Sequence, residues 1–443
     1  MFVRITPARA GAFDKQGNVK LVVRESGLSG SVSIPGSKSH TIRAVAIASL
    51  ADGTSHIREP LVASDTLSAL EAYRLLGAEI DASSDSEWVV RGVAGWPSVS
   101  RTIIDVGNSG STLYTALGTA ALADNYGVFT GDEQIRRRPV QPLMDALVGL
   151  GAYVESMGGG GTAPIILRGP MTGGEITLDC SKTSQYLTSL LINCPLAQGT
   201  SVINVEKLTE KPYIEMTLRW LAEQGIELEN EDFRRFRIPG VQSYRAFDKA
   251  IPADFSSATF FMCAAAITGA DLTLLGLDMD DTQGDKAVAG MLAEMGAKIE
   301  QVADGLRIVG GPLKGGEFGL ADTPDALPAM AVTACFAEGE TRLVNVPQAR
   351  LKETDRIAVM CEELAKMGAD VEELPDGLVI RGSRLRSAQV DGHGDHRVIM
   401  ALAVAGLAID GETTISTAEA LNVTFPSFVE LMSSAGAEIS LLN

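Results

Sequence analysis

Apolar residues along the chain fall into two recurring patterns. The first is a helix-length run that is apolar almost all round: IRAVAIASL from Ile42, STLYTALGTAALA from Ser111, YLTSLLINC from Tyr186, ATFFMCAAAI from Ala258, PAMAVTACF from Pro328 and VIMALAVAGLAI from Val398. A helix without a polar face has no face for solvent, so these six are predicted to be buried. The second pattern is an amphipathic helix that runs into a strand through a glycine: YRLLGAEI, LVGLGAYV, LAEQGIEL, LAEMGAKI, LAKMGADV and MSSAGAEI. Gly77, Gly151, Gly225, Gly296, Gly368 and Gly436 recur every 68 to 74 residues, at the C′ position where a left-handed backbone ends a helix. Five of the six phrases continue into a β-rich segment that closes on glycine: EWVVRG, PIILRG, RFRIPG, LRIVGG and LVIRG.

Each unit therefore reads as two helices and about four strands. Six units are too many for one core and suit two domains of three. The sixth unit has no closing strand of its own, and the strand-like SGSVSIPG precedes the first unit. The pattern predicts that this N-terminal strand completes the C-terminal domain. The domains are then a discontinuous one, 1–36 with 250–443, and an inserted one, 37–249, with hinge crossings at about 34–38 and 248–254.

Composition narrows the function. Of the 443 residues 45% are hydrophobic and 21% charged, with a formal net charge of −19, which describes a globular chain and argues against a nucleic-acid partner. Five scattered cysteines, with no CxxC or Cys/His cluster, fit reduced core thiols and suggest no metal. No apolar run reaches the length of a membrane span and the N-terminus lacks a continuous apolar leader core, so a cytoplasmic protein is expected.

Against that acidity, PGSKSHTIRA places Lys38 and Arg43 with Ser37, Ser39 and Thr41 at one helix start. Unpaired N–H groups and the positive end of the helix dipole make such a start suited to an anion. The other buried helices are preceded by GNSGS, SKTSQ, ADFSS, DTPDALP and GHGDHR. Simple capping explains one Ser or Asp in each, but not Lys38, Arg43, Lys182, Gln185 and Arg397 at the same level of the repeat. The amphipathic helices open on RRRPVQP, TEKPYIEM and RLKETDRI, again rich in cations. A pocket for polyanionic ligands follows.

With PGSKSHTIR, GNSGST, GDEQIRRRP, TSQYLTSLL, EKPYIEMTL, PDALPAMAV, RLKETDR and GDHRVIM in that order, the chain resembles the 5-enolpyruvylshikimate 3-phosphate synthase family over residues 30–443. The resemblance implies a two-domain inside-out α/β barrel of six βαβαββ repeats, working without metal or organic cofactor as a monomer on phosphoenolpyruvate and shikimate 3-phosphate, with no nucleic acid or membrane partner. It implies that Lys38, Gly110, Arg138, Gln185, Arg356 and Arg397 hold phosphoenolpyruvate, the last two on its carboxylate, with Lys38 and Arg138 near its phosphate. It assigns Lys38, Ser39, Arg43, Thr183, Ser184, Gln185, Tyr213, Asp325, Gln348 and Lys352 to shikimate 3-phosphate. Asp325 is implied as the base for the 5-hydroxyl and Glu353 as the proton donor to carbon, with Lys38 beside them. Joining two polyanions by addition and elimination calls for such a set, with two carboxyl groups in opposite protonation states.

The chain departs from the family at Glu210, where a serine is usual, with Lys182 or Lys211 expected to pair it. Tyr114 replaces an arginine, Gln348 an asparagine, and Val423 a lysine found in some members. Two rivals stay open: a paralogous enolpyruvyl transferase with another cyclic alcohol as acceptor, and a non-catalytic repeat scaffold. The sister reaction on UDP-N-acetylglucosamine is disfavoured because residues 106–140 contain no cysteine.

Overall fold

The computed structural model describes residues 19–442; the stretch 1–18, to which the leader expectation and part of the first domain segment apply, lies outside them. All six apolar runs form buried helices, at Lys38–Leu50, Gly110–Ala120, Gln185–Asn193, Phe255–Thr268, Leu327–Cys335 and His396–Leu407. The amphipathic helices are Ser64–Leu75, Gln141–Gly149, Lys211–Glu223, Ala287–Met295, Arg356–Lys366 and Phe428–Ser434. At the ends of these six stand the repeat glycines, with φ between 73° and 120°, a region closed to most side chains. No described helix is long and apolar enough to cross a membrane.

The strands form six four-stranded sheets of one design. In the second, Ile103–Asp105 and Gly127–Thr130 pair in parallel, and Ile165–Arg168 and Tyr153–Ser156 follow antiparallel. The first sheet takes its leading strand from far along the chain, where Asp248–Ala250 pairs in parallel with Thr54–Arg58. At the other end the structure corrects the expected closure. SGSVSIPG supplies Ser29–Ser33, the leading strand of the fourth sheet beside Asp271–Leu275. The place open in the sixth sheet is filled by Lys20–Arg24, antiparallel to both Glu412–Ile415 and Glu438–Leu442. Its sequence KLVVR lacks the alternation of a half-exposed strand because Leu21, Val22 and Val23 are all buried.

Two separate hydrophobic cores result, each built around three packed helices. One draws on Leu21–Ile34 and Ala253–Ile439, the other on Ile42–Ile251. The chain passes between them twice, side by side: Ser37 N–H donates to the Pro252 carbonyl at 2.8 Å and Asp254 N–H to that of Pro35 at 2.9 Å. The N-terminal turns of buried helices from both cores converge there.

Candidate active site

Between the two cores lies a cavity of about 970 Å³, counting its open mouth. Its walls include the first turns of five buried helices, which bring Lys38, Ser39, Gly110 and Gln185 from one core and Ser256 and Arg397 from the other. Arg138 approaches from the turn before helix Gln141–Gly149, and Lys352, Glu353 and Arg356 from the opening of helix Arg356–Lys366. Caps fix these turns: Ser109 accepts from Thr112 N–H, Asp254 from Ser257 N–H and Asp395 from Arg397 N–H.

The cations are opposed by carboxylates of the site itself. Arg356 makes four hydrogen bonds: Nε and Nη2 to Asp395, Nη1 to Asp325 at 2.7 Å and Nη2 to Glu353 at 2.6 Å. Asp325 reaches Arg397 with its second oxygen at 3.1 Å. Across the cavity Arg138 Nη2 stands 2.8 Å from Glu353 Oε1 but off the line of a hydrogen bond, so its Nε and Nη2 remain unspent. Lys38 Nζ lies 3.1 Å from Asp65. Adding a Cβ to Gly110 would put it 2.6 Å from Arg138 Nη1, so a side chain there would push that guanidinium aside.

This charge lattice sets protonation. Burial works to raise the Asp325 carboxyl, but Arg397, Lys352 and Arg356 overrule it and hold it well below the usual carboxylate range. Glu353 is likewise raised by burial and brought far down by Arg138 and Arg356. Asp285 behaves in the opposite way: burial and then the charge of Asp325 push it up to about 7 against the pull of Arg397. Burial lowers Arg43 to about 10. Among the described residues no carboxylate meets its guanidinium, whose bonds go to Thr217, Thr188 and the carbonyls of Ser39 and Tyr213.

Most of the residues singled out in the sequence come together here, with exceptions. Gln348 does not line the cavity; it is buried, its amide donating to the Ala321 carbonyl at 2.9 Å. Thr183 borders a side recess with Lys182, Tyr114 and Gln185, and both Thr183 and Ser184 turn to Glu210. Glu210 is paired neither by Lys182 nor by Lys211, whose Nζ sits 4.2 Å above the Phe233 ring, but by Lys352 at 2.5 Å. Tyr114 stacks edge-on against Tyr186 and donates to the Pro139 carbonyl.

Asp65 and Asp285 were not foreseen. Each opens the amphipathic helix of its unit, in SDTL and in QGDK, the level of the repeat that elsewhere carries the cations. That position was the available signal. Among the described residues, Glu362, Glu363 and His393 lie at metal-ligand spacing outside the cavity, but Lys366 Nζ already meets both carboxylates at 2.9 and 2.7 Å.

Comparison with known proteins gives the family and the fold. The family model described as EPSP synthase (3-phosphoshikimate 1-carboxyvinyltransferase) matches residues 22–432. The chain is similar to the 3-phosphoshikimate 1-carboxyvinyltransferase of Ruminiclostridium cellulolyticum, 54% identical over 95% of this chain and 100% of that one. It is 55% identical to the protein of the same name from Acetivibrio thermocellus, over 95% of this chain and 99% of the relative. A solved EPSP synthase of Acinetobacter baumannii superposes with a TM-score of 0.82 at 28% identity, covering 96% of this chain and 100% of that one.

Proposed function

The chain belongs to the EPSP synthase family and transfers the enolpyruvyl group of phosphoenolpyruvate to the 5-hydroxyl of shikimate 3-phosphate, releasing phosphate; we propose how its residues divide that work. The observation that carries the proposal is the set of cations from two cores facing one cavity, of which Lys38, Arg138, Lys352, Arg356 and Arg397 each stand against a carboxylate that a substrate anion can replace.

Arg356 and Arg397 take the carboxylate of phosphoenolpyruvate, and Lys38 and Arg138 its phosphate, with Gly110 and Gln185 against the donor. Ser39, Arg43, Thr183, Ser184, Tyr213 and Lys352 hold the acceptor. Gln348 acts at one remove, steadying the Ala321 carbonyl on the segment that leads to Asp325. The acceptor's 5-oxygen attacks C2 of the donor and passes its proton to Asp325, while C3 takes a proton from Glu353. The C2–O bond to phosphate then breaks, the proton held by Asp325 passes to the departing phosphate, and a methyl proton returns to Glu353 as the double bond reforms.

In the empty site both carboxyls are held ionised, which suits a base and not an acid. The incoming anions compete for Arg138, Arg356 and Arg397. Losing those partners and gaining negative neighbours raises both carboxyls toward the range where they exchange protons at neutral pH. Substrate binding thus brings both carboxyls toward proton exchange, with Asp325 as the acceptor and Glu353 as the donor in this division of work.

The partners in this reading are small molecules. A cytoplasmic monomer is part of the proposal; the five free thiols support the reducing compartment alone. The test is phosphate release from phosphoenolpyruvate with shikimate 3-phosphate, set beside shikimate alone. Release with the first acceptor and little with the second is expected; equal release would favour another cyclic alcohol.

A further inference from the structure

Glu210 is buried and opens helix Lys211–Glu223 with a left-handed backbone, φ 55° and ψ 43°, which a residue with a side chain adopts at a cost. Its Oε1 takes Lys352 Nζ at 2.5 Å. Its Oε2 faces three further donors, Thr183 Oγ1 and Ser184 Oγ at 3.3 Å and Ser184 N–H at 3.4 Å. These four donors come from both cores and converge on one point. Three of the four contacts are long for bonds to a charged oxygen, which run at about 2.7–2.9 Å. A carboxylate with two oxygens underfills this nest, whereas a phosphate with three free oxygens would meet each donor at normal length.

We infer that Glu210 is an internal stand-in for the acceptor's phosphate: it fills the anion nest of Thr183, Ser184 and Lys352 in the empty enzyme and is displaced when shikimate 3-phosphate enters, which makes it a specificity-determining residue. The inference rests on the acceptor reading above. A carboxylate and a phosphate cannot share the four donors, and charges about 5 Å apart repel appreciably even at the dielectric of a wet cleft. An uncharged acceptor would leave Glu210 in place, as a partner for a ring hydroxyl.

The test uses the full chain, with Glu210→Ser to empty the nest and Glu210→Gln to keep its shape without charge. Steady-state phosphate release reads kcat and both KM values, and calorimetry reads inorganic phosphate binding without substrates. In Glu210→Ser the KM for shikimate 3-phosphate should fall about 5- to 100-fold and inorganic phosphate should bind correspondingly tighter, while the KM for phosphoenolpyruvate stays within about twofold. Glu210→Gln should move in the same direction by less, and it carries the test if Glu210→Ser does not fold. Unchanged or weakened binding of both shikimate 3-phosphate and inorganic phosphate in a folded variant overturns the inference. A wild-type chain that releases no phosphate with shikimate 3-phosphate overturns the acceptor reading instead, and the calorimetry still decides whether Glu210 occupies a phosphate nest.

Discussion

The phenol of Tyr213 donates to Oδ2 of Asp285 at 3.3 Å, from one core to the other, and leaves Oδ1 of that buried carboxyl without a partner among the described residues. Every other cavity acid is matched by a cation or caps a helix. Asp285 therefore keeps its proton where its neighbours lose theirs.

The pH dependence of stability follows from that proton. Asp285 titrates at about 7 when folded and near 3.8 when unfolded, so between those values the folded chain binds more protons. Stability from this group is present at the acid end of the window and is lost as pH rises through about 7. Replacing Asp285 by Asn should raise the melting temperature above wild type at pH 8, by on the order of 2–4 kcal/mol in stability, and the gap should close near pH 4. Thermal melts across that range check it; a gap that does not vary with pH would sink the assignment.

His396 controls part of the acid limb. Burial lowers it from 6.5 to about 3, and neither ring nitrogen has a partner among the described residues. Between those values the unfolded chain takes up a proton that the folded chain refuses, so stability falls as pH drops from about 6.5 toward 3. His396→Met should flatten the decline in melting temperature over this interval. The depressed Asp325, Glu353 and Asp395 add their own loss at lower pH and are left untouched by the change.

Kinetics should separate proton transfer from anion binding. Glu353→Gln and Asp325→Asn are each expected to lower kcat by about 10²- to 10⁴-fold with a much smaller change in the KM for phosphoenolpyruvate. Arg397, whose one side-chain ion pair is to Asp325, should behave in the reverse way: Arg397→Ala raises that KM by more than it lowers kcat. Full turnover in Glu353→Gln would remove it as the acid.

Closure about the paired crossings is open to scattering. Arg138 with Glu353, Lys352 with Glu210, and His40 with Asp281 at 3.2 Å all span the two cores, while among the described residues the chain itself crosses at the segments near 34–38 and 248–254. These contacts hold the two cores together without substrate, so the radius of gyration should be larger in an Arg138→Ala, Lys352→Ala double variant than in the wild type. An equal radius would count heavily against a hinge.

Local pattern determined the repeat, and with it much of the fold. A helix that is apolar all round and a glycine at its partner's end are properties of a few consecutive residues, so six units, their buried helices and the level at which cations gather were legible from Lys38 to Arg397. The closing strand Lys20–Arg24 was not, because a strand buried on both faces has no period to betray it. Nor could sequence decide which charges meet. Lys211 is next to Glu210 along the chain and Lys182 lies in the same domain, yet the partner of Glu210 is Lys352, 142 residues away, because pairing inside a cavity depends on how two cores face each other. The same holds for Asp285, whose proton comes from burial beside Asp325, a relation between two helix openings that only the folded chain brings together.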